Sequence, residues 1–320
     1  MTISVVIATF NRAELLGECL EHMARQTFAA GDQVIVVDNG STDHTAAVIA
    51  GAQPRFPVPV HHLVESAPGK SHAVARALDV ATGDVLAFTD DDINVAQSWL
   101  PAIRNAMEDS DTVLMGGPVA PRWERKVPAW LSSAASGQGR MASPLALLDY
   151  GAEPLDLGPR TLLGANLAVR RSAFQQLGGF ARHLGKLRGT LLSGEDHDLC
   201  RRIQAAGLRA VYDPRARVAH WVPAERMRVR YYLSWFFWSG ITNAALDTDG
   251  RLPRRAFLGV PLYLFKRAGA GGFLAIAAAL RGNVTRAMEH LVDVAFAAGY
   301  AARRWRLSVS AAGPVTGDQS

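Results

Sequence analysis

Cysteine is scarce in this chain, because only Cys19 and Cys200 occur among its 320 residues. Two cysteines are too few for a disulfide framework or for a zinc site built from cysteine ligands. A β-rich segment starts at Ile3, without the basic stretch and apolar core of a secretory signal. We therefore expect a protein of the reducing cytoplasm.

Long apolar runs are missing as well. The longest run without charge or strong polarity is 13 residues long, at 268–280, whereas a membrane-spanning helix needs roughly 20. The C-terminal third is therefore expected to form helices that lie on a surface or build a bundle. The sequence shows no internal repeat, which argues against solenoids and propellers.

Basic and acidic residues are unevenly distributed along the chain: the first part has few basic residues relative to acidic ones, and the last part has few acidic residues. Residues 1–200 carry 16 basic and 22 acidic side chains, and residues 201–320 carry 18 basic and 7 acidic ones. The acidic front part argues against a nucleic acid as partner. The basic, aromatic rear part favours an anionic surface, most simply a membrane.

The first 120 residues alternate strand patterns with helix patterns. Asn11 is the expected cap of the first helix, with Glu14 reaching back to it. Repeated β-α-β units imply a largely parallel sheet, in which ligands bind beyond the carboxyl ends of the strands. The predicted strands are 3–9, 34–37, 60–64, 85–89 and 112–115. The predicted cleft segments are 9–12, 38–43, 65–70 and 90–92.

The second part of the chain is less regular. Residues 117–160 are rich in Pro, Gly, Ser and Trp, which predicts long loops. A strand near 162–169, a helix at 195–206 and a strand at 210–212 follow. From Tyr231 onward the pattern is aromatic and helical.

Three successive carboxylates, Asp90, Asp91 and Asp92, end an apolar strand. They repel one another unless a cation neutralises them. Oxygen ligands of this kind suit Mg²⁺ or Mn²⁺, usually shared with substrate phosphates. The alternative is a solvated acidic turn or a helix cap.

Two more segments carry groups that fit a nucleotide. Asp38 stands at a strand end before Gly40 and Ser41, so it can accept hydrogen bonds from a base or ribose, or simply form a turn. Lys70 follows Gly69, but Val64 stands where a Walker A motif requires glycine. Lys70 can still meet a diphosphate as a point charge.

Glu195 and Asp196 stand at a predicted helix N-terminus, where the helix dipole favours their ionised form. An ionised carboxylate in a cleft can take a proton from a hydroxyl, and ordinary helix capping is the alternative. A zinc site at His197 is excluded, because that helix carries no second His or Cys at ligand spacing.

Together and in this order, these segments resemble glycosyltransferase family 2, the inverting nucleotide-sugar transferases of GT-A fold. The resemblance covers about residues 2–240. It implies an α/β fold of Rossmann-like type, with a mostly parallel central sheet flanked by helices. The matching segments are 4–12, 36–43, 69–76, 88–92, 163–166, 178–180 and 194–196.

The expected domain order starts with a catalytic domain at 1–225, divided into a nucleotide-binding half at 1–117 and an acceptor-binding half at 118–225. A helical amphipathic extension at 226–306 and a flexible tail at 307–320 follow. The extension is interpreted either as membrane-associated or as helices packed on the catalytic domain.

The resemblance also implies roles for single residues. Asp196 would be the catalytic base, and Glu195 would contact the acceptor or orient that base. Asp92 would ligate Mg²⁺ or Mn²⁺, and Asp90 or Asp91 would touch the ribose or a water of the metal, with Asp90 also a candidate metal ligand. His220 would be a third metal ligand, as in some relatives, or else a packed histidine. The nucleotide-sugar residues would be Thr9, Asn11, Arg12, Asp38, Lys70, Asp90 and Asp91.

The acceptor is the least defined part of this expectation. Trp123 and Trp130 suit stacking against sugar faces, although buried packing explains them equally well, and Asn166 belongs to the matching segments. A glycan or lipid-linked acceptor of cell-surface synthesis fits an enzyme on the cytoplasmic face of a membrane. The residues expected to hold anionic headgroups are Arg251, Arg254, Arg255, Lys266 and Arg267.

Two other functions remain open at this point. A nucleotidyltransferase on a similar scaffold would usually carry a loop rich in Gly, Arg and Lys after the first strand, where this chain has Phe10-Asn11-Arg12. A non-catalytic nucleotide-binding membrane module would not need both Asp92 and Asp196.

Overall fold

The computed structural model describes residues 1–181, 194–247 and 255–305. Its first half is the alternating arrangement of strands and helices that the sequence predicts. The elements are β1 (Ile3–Thr9), α1 (Ala13–Ala24), β2 (Gln33–Asp38), α2 (Thr45–Ala52), β3 (Val60–Val64), α3 (Lys70–Leu78), β4 (Val85–Asp90), β5 (Ile93–Val95), α4 (Trp99–Ala106) and β6 (Thr112–Gly116).

The second half is more ordered than predicted. The expectation of long loops at 117–160 is wrong in part, because this stretch holds strands β7 (Val119–Trp123) and β8 (Leu155–Asp156) and two 3₁₀ segments, Ala129–Ser136 and Arg140–Leu145. The later elements are β9 (Asn166–Arg170), α5 (Arg171–Gln176), α6 (Glu195–Ala205), β10 (Arg209–Tyr212) and β11 (Val218–Val222).

The central sheet has eight strands in the order β3-β2-β1-β4-β9-β6-β10-β8. β9 lies antiparallel between β4 and β6, and β8 is antiparallel to β10, while the other neighbouring pairs are parallel. The sheet is therefore mixed, but most strands run in one direction. The predicted α/β sheet is confirmed, with β9 as an antiparallel insertion.

A smaller sheet of order β5-β11-β7 stands beside the carboxyl ends of the main strands. β11 pairs antiparallel with β5, which places His220 opposite Ile93. The backbone N–H of Trp221 also donates to the Asp92 carbonyl over 2.9 Å. This sheet therefore fixes His220 next to the acidic end of β4.

The core lies on both faces of the main sheet, because its central strands are buried throughout. Val34 and Val36 of β2 face the cluster that contains Leu16 of α1. Ile35 and Val37 face the opposite cluster, which contains Ala73 of α3. Continuous burial of this kind explains why β2 is an unbroken apolar run.

One capping expectation is wrong. Asn11 has a φ of 49°, and its side-chain oxygen accepts a hydrogen bond from the Thr42 N–H over 2.7 Å. Asp43 accepts from the first amide of α1, at Ala13, over 3.1 Å. The helix start is thus capped from a neighbouring loop, while Asn11 ties the two loops together.

Three long helices follow β11 in the described residues: α7 (Val229–Leu246), α8 (Leu262–Leu280) and α9 (Val284–Arg304). A short hairpin of β12 (Ala256–Phe257) and β13 (Val260–Pro261) precedes α8. α9 packs between α7 and α8. A Cβ atom at Gly299 would lie 1.8 Å from the Phe237 carbonyl oxygen, so the close approach of α7 and α9 requires glycine there.

Within the ranges that the structure describes, no helix is long and apolar enough to cross a membrane. This agrees with the expectation from the short apolar runs. Arg251, Arg254 and the predicted tail at 307–320 lie outside the described residues.

Candidate active site

A cleft of about 1020 Å³ opens where the carboxyl ends of β1 and β4 meet the N-termini of α3 and α6. The topology brings these chain segments to one edge of the sheet, as the sequence predicts. The predicted site residues that line the cleft are Thr9, Arg12, Lys70, Asp90, Asp91, Glu195 and Asp196.

The first acidic group consists of Asp90, Asp91 and Asp92, called here the strand-end acids. β1 and β4 run parallel with Ala8 opposite Asp90, so Thr9 reaches Asp91 and donates a hydrogen bond over 2.9 Å. The Arg12 guanidinium lies 3.1 Å from Asp91 and 3.0 Å from Asp92. One arginine therefore holds two neighbouring carboxylates.

The strand-end acids have divergent proton affinities. Burial raises the pKa of Asp91 to about 6, although the charge of Arg12 opposes this. Burial acts in the same direction on Asp92, but His220 and Arg12 hold the pKa of Asp92 well below its usual range. The Arg12 pKa is raised by Asp91 and Asp92 against the effect of burial.

Asp92 and His220 are both almost fully buried, and their side chains lie 3.5 Å apart. Among the described residues, Asp92 Oδ1 and His220 Nδ1 have no hydrogen-bond partner. The Arg226 guanidinium approaches the His220 Nε2 atom to 3.3 Å. Arg226 lines the cleft and was not found from the sequence, which gives no local signal for it.

The side of the cleft at the ends of β2 and β3 is held by hydrogen bonds within and between loops. Asp38 is buried and accepts a hydrogen bond from the Ser41 N–H over 2.7 Å. Asn39, which sequence reasoning did not single out, donates to the carbonyls of Glu65 and Ala67 and accepts from the Gly69 N–H. The segments after β2 and β3 therefore form one connected wall.

Lys70 links the two acidic groups of the cleft. It begins α3, and its Nζ pairs with the Asp90 carboxylate. Burial would lower the pKa of Lys70, but Asp90 and Glu195 hold it above its usual range. The lysine is therefore a fixed positive charge between the end of β4 and the start of α6.

The second acidic group consists of Glu195 and Asp196, called here the helix-start acids. Gly194 precedes them with a φ of 149° and its N–H donates to Glu195 over 3.0 Å. The Gly164 N–H donates to Asp196 Oδ2 over 2.9 Å. The His197 ring lies 2.9 Å from Asp196 Oδ1.

The pKa values of the two helix-start acids are also shifted in opposite directions. Burial and the charge of Asp196 raise the pKa of Glu195. Burial would raise the pKa of Asp196 too, but His197 and the Gly164 N–H bring it well below its usual range. In turn Asp196 raises the pKa of His197 against the effect of burial. From the sequence, His197 was considered only as a zinc ligand, and its contact with Asp196 was missed.

None of the three residues predicted for the acceptor side lines the cleft. Asn166 is 2% exposed and donates to the Ala216 carbonyl over 2.7 Å while accepting from Trp99 over 2.8 Å. Trp130 packs edge-on against Tyr232, with ring centroids 4.9 Å apart, and Trp123 contacts the same buried cluster. These three side chains serve packing and are not among those that line the cleft.

Other aromatic and basic side chains line this side of the cleft. α7 contributes Tyr231 and Trp235, and the segment after β7 contributes Arg140 and Tyr150. Arg160 stacks over the Tyr150 ring at 5.6 Å. Aromatic faces next to guanidinium groups suit a sugar or an anionic acceptor.

A family model described as "Glycosyl transferase family 2" matches residues 4–178, which includes the strand-end acids. The chain belongs to glycosyltransferase family 2. It is therefore an inverting glycosyltransferase that uses a nucleotide-sugar donor. The membership decides against the nucleotidyltransferase and the non-catalytic module.

Two curated relatives match most of the chain. The succinoglycan biosynthesis protein ExoM of Rhizobium meliloti is 30% identical over 284 residues, which are 87% of this chain and 84% of that protein. A glucosyl-dolichyl phosphate glucuronosyltransferase of Haloferax volcanii is 25% identical over 259 residues, 77% of this chain and 78% of that protein.

Solved structures support the fold. The mannosyltransferase PcManGT of Pyrobaculum calidifontis, crystallised with GDP-Man and Mn²⁺, superposes with a TM-score of 0.64 at 21% identity, covering 95% of this chain and 87% of that one. GalNAc-T7, crystallised with UDP, GalNAc and Mn²⁺, gives a TM-score of 0.53 at 17% identity, covering 80% and 52%. The GT-A fold expected from the sequence is confirmed.

Proposed function

We propose that this enzyme is a metal-dependent transferase that moves a sugar from a nucleoside-diphosphate sugar to an acceptor hydroxyl, with Asp196 as the base. The observation that carries the proposal is that one cleft is lined by Asp90 and Asp91 on one side and by the helix-start acids on the other, with Lys70 between them. Asp92 is buried directly behind this wall. The strand-end acids would serve the donor, and the helix-start acids would serve the acceptor.

The donor would lie along the ends of β1, β2 and β4. Thr9, Asn11 and Asp38 would surround the nucleoside, since the loop after β1 and the loop after β2 are joined by hydrogen bonds. Lys70 and Arg12 would meet the diphosphate, because both are cations on the cleft wall. Asp90 and Asp91 face the same space and would contact the ribose or the metal's waters.

The residues present fit a hard divalent cation such as Mg²⁺ or Mn²⁺. Asp92 offers a buried carboxylate oxygen without a hydrogen-bond partner in the described part of the chain, next to the imidazole of His220. No three His, Cys, Asp or Glu side chains within the described ranges converge as a complete metal site. Such ions commonly take one or two carboxylates together with substrate phosphates.

We propose Asp92 as the carboxylate that binds the metal, with the His220 imidazole beside it. The predicted set of Asp92, Asp90 and His220 does not converge within the described ranges, and Asp90 is paired with Lys70, so Asp90 would reach the metal through a water. When bound, the divalent ion supplies Lewis acidity that stabilises the charge on the departing nucleoside diphosphate. Lys70 adds a positive charge of the protein to the same end of the cleft.

Asp196 is suited to the role of base. Its low pKa keeps it ionised, and the Gly164 N–H and His197 hold both of its oxygens in place. The acceptor hydroxyl would give its proton to Asp196 as its oxygen bonds to the anomeric carbon and the bond to the diphosphate breaks. One displacement inverts the anomeric centre. Glu195, beside the base, would orient the acceptor or Asp196.

The proposed acceptor is a glycan or lipid-linked glycan of cell-surface synthesis. The names of the two relatives, a dolichyl phosphate glucuronosyltransferase and a succinoglycan biosynthesis protein, support this class. Tyr231, Trp235 and Arg160 provide stacking and positive charge in the cleft.

The proposed location is the cytoplasmic face of a membrane, with the protein bound peripherally. Two observations support it. Both cysteines are buried free thiols, which suits a reducing compartment. The region after residue 200 is strongly basic, which suits anionic lipid.

A thermal-shift series tests the donor assignment, because a ligand that binds the native state raises its melting temperature. UDP, GDP, CMP and dTDP are each added with and without Mn²⁺ to wild type, Asp92→Ala and the surface control Asp111→Ala. We expect one nucleoside diphosphate to stabilise wild type and Asp111→Ala only with Mn²⁺, and Asp92→Ala not at all. No stabilisation of wild type by any of them would contradict the proposal.

A further inference from the structure

α8 is apolar on two opposite faces. Its inner face packs toward α9 through Leu264, Gly271, Ala275 and Ala278, which are buried. Those positions are spaced by seven, four and three residues, so they form a single stripe along the helix. A helix of a globular protein normally carries polar residues opposite such a stripe.

The outer face of α8 carries mainly large apolar side chains, with Lys266 as a charged residue near its N-terminal end. Phe273 is 73% exposed, Ile276 63% and Leu280 84%. Leu262 and Phe265, about two to three turns closer to the N-terminus of α8, are exposed as well. These five residues, the outer face, also follow helical spacing and lie on the side opposite the inner stripe.

Neighbouring elements extend this apolar surface. Phe257 and Leu258, in the hairpin before α8, are both more than half exposed. The Phe265 ring lies 6.3 Å from that of Phe257 and 6.4 Å from that of Trp305 at the end of α9. The patch therefore continues from the hairpin along the length of α8. Contiguous exposed patches of this kind mark interaction surfaces.

Positive charge surrounds the patch. Residues 255–305 contain seven basic and two acidic side chains. Lys266 and Arg281 are exposed on or beside α8, at its two ends. Of the two acids, Asp293 is engaged with Arg140 and Arg267. A second copy of the chain would bring like charges together here, whereas an anionic surface would be attracted.

We propose that the outer face of α8 docks the enzyme on a bilayer that contains anionic phospholipid. The helix would lie in the plane of the interface, with Phe273, Ile276 and Leu280 among the acyl chains and Lys266 and Arg281 at the headgroups. This inference deepens the proposed membrane location by naming the surface that binds. It does not depend on the donor or on the role of Asp196.

Flotation of the full-length protein with vesicles tests the proposal. Wild type is mixed with vesicles of phosphatidylcholine alone or with 30 mol% (about one lipid in three) phosphatidylglycerol, a content chosen to give a clear negative surface charge. We expect binding to the anionic vesicles that weakens as salt is raised, since exposed charges are screened. Binding to the neutral vesicles should be only a small fraction of the binding to the anionic vesicles.

Variants locate the binding surface. Ile276→Glu should weaken vesicle binding by about tenfold or more, because it places an acid in the apolar patch. Lys266→Gln with Arg281→Gln should reduce the preference for anionic vesicles and its salt dependence. Leu208→Glu makes the matched apolar-to-acid change in the turn after α6 and should bind like wild type. Nucleotide-induced thermal stabilisation should be equal in all of these proteins.

Two results would overturn the proposal. One is an absence of wild-type flotation with anionic vesicles, or flotation of Ile276→Glu equal to that of wild type. The other is a concentration-dependent dimer, seen by sedimentation equilibrium, that Ile276→Glu abolishes, because the face would then bind a second copy. Neither result would bear on sugar transfer, since vesicle binding requires neither donor nor acceptor.

Discussion

The strand-end acids and the helix-start acids face one cleft, but they are stabilised in different ways. Arg12, a permanent cation on a short loop, bridges Asp91 and Asp92. Asp196 is held by a backbone N–H and by His197, whose charge depends on pH. The first group includes a fixed cation, Arg12, with His220 as a second partner of Asp92. The ion pair of Asp196, by contrast, can be lost when His197 titrates.

This difference matches the chemistry proposed for each group. A donor carrying two phosphates needs a constant positive field, and Arg12 and Lys70 provide it at any ordinary pH. A base must accept a proton and later release it, so its partner benefits from being able to titrate. The following substitutions address one group at a time.

Asp196→Asn should cause the largest loss, because an amide cannot accept the acceptor's proton. We expect the turnover number to fall by about 10²- to 10⁴-fold, while the dissociation constant of the nucleoside diphosphate stays unchanged. Release of nucleoside diphosphate in the presence of acceptor measures the rate, and calorimetry measures binding. Asp198→Asn, on the same helical turn and paired with Arg202, is the control and should keep most of the activity.

Asp92→Asn should affect the donor side instead. We expect about a hundredfold loss in kcat/KM together with weaker dependence on Mn²⁺, because a metal ligand is replaced by a neutral amide. Rates measured across a Mn²⁺ series check this. Asp79→Asn, an exposed change near the end of α3, should leave the Mn²⁺ curve unaltered. An unchanged curve for Asp92→Asn would remove it from the metal site.

Lys70→Met should produce a loss of about ten- to a hundredfold in kcat/KM, the size expected for a hydrogen bond to a charged group. Lys70 is the contact between the two acidic groups, so its removal should weaken donor binding and lower turnover together. Lys70→Arg keeps the charge and should recover part of both. Separate measurements of kcat and KM distinguish this combined loss of turnover and donor binding from a change in donor affinity alone.

His197→Gln should have the smallest effect at neutral pH, about two- to tenfold, and a larger effect in acid. The protonated His197 lowers the pKa of Asp196, so without that charge the pKa of Asp196 rises and the acid limb of the rate profile moves to higher pH. Above the raised pKa of His197, the histidine is neutral and the two profiles should converge. Superimposable profiles over the whole range would contradict a role for His197.

The strand ends could be predicted from sequence because each combines an apolar run with polar residues at a known point of a parallel sheet. Asp90 to Asp92 and Lys70 were found in this way, and the family resemblance placed Asp196. The cleft that joins them follows from topology alone.

Other features depend on contacts that local sequence does not encode. The small sheet of β5, β11 and β7 pairs strands that are distant in the chain, so 117–160 resembled loops. Asn166 has the residue type of a binding group, but its amide is consumed inside the fold. Asn11 failed as a cap because its φ of 49° and its partner on another loop are set by tertiary structure.

Anomalous scattering from a crystal of the enzyme with Mn²⁺ and the stabilising nucleoside diphosphate tests most directly whether the strand-end acids serve the donor and the helix-start acids the acceptor. The account predicts one manganese peak within coordination distance of the strand-end acids and the diphosphate, with Asp196 free of metal. A peak bound by Glu195 or Asp196, with the diphosphate away from Lys70, would contradict it.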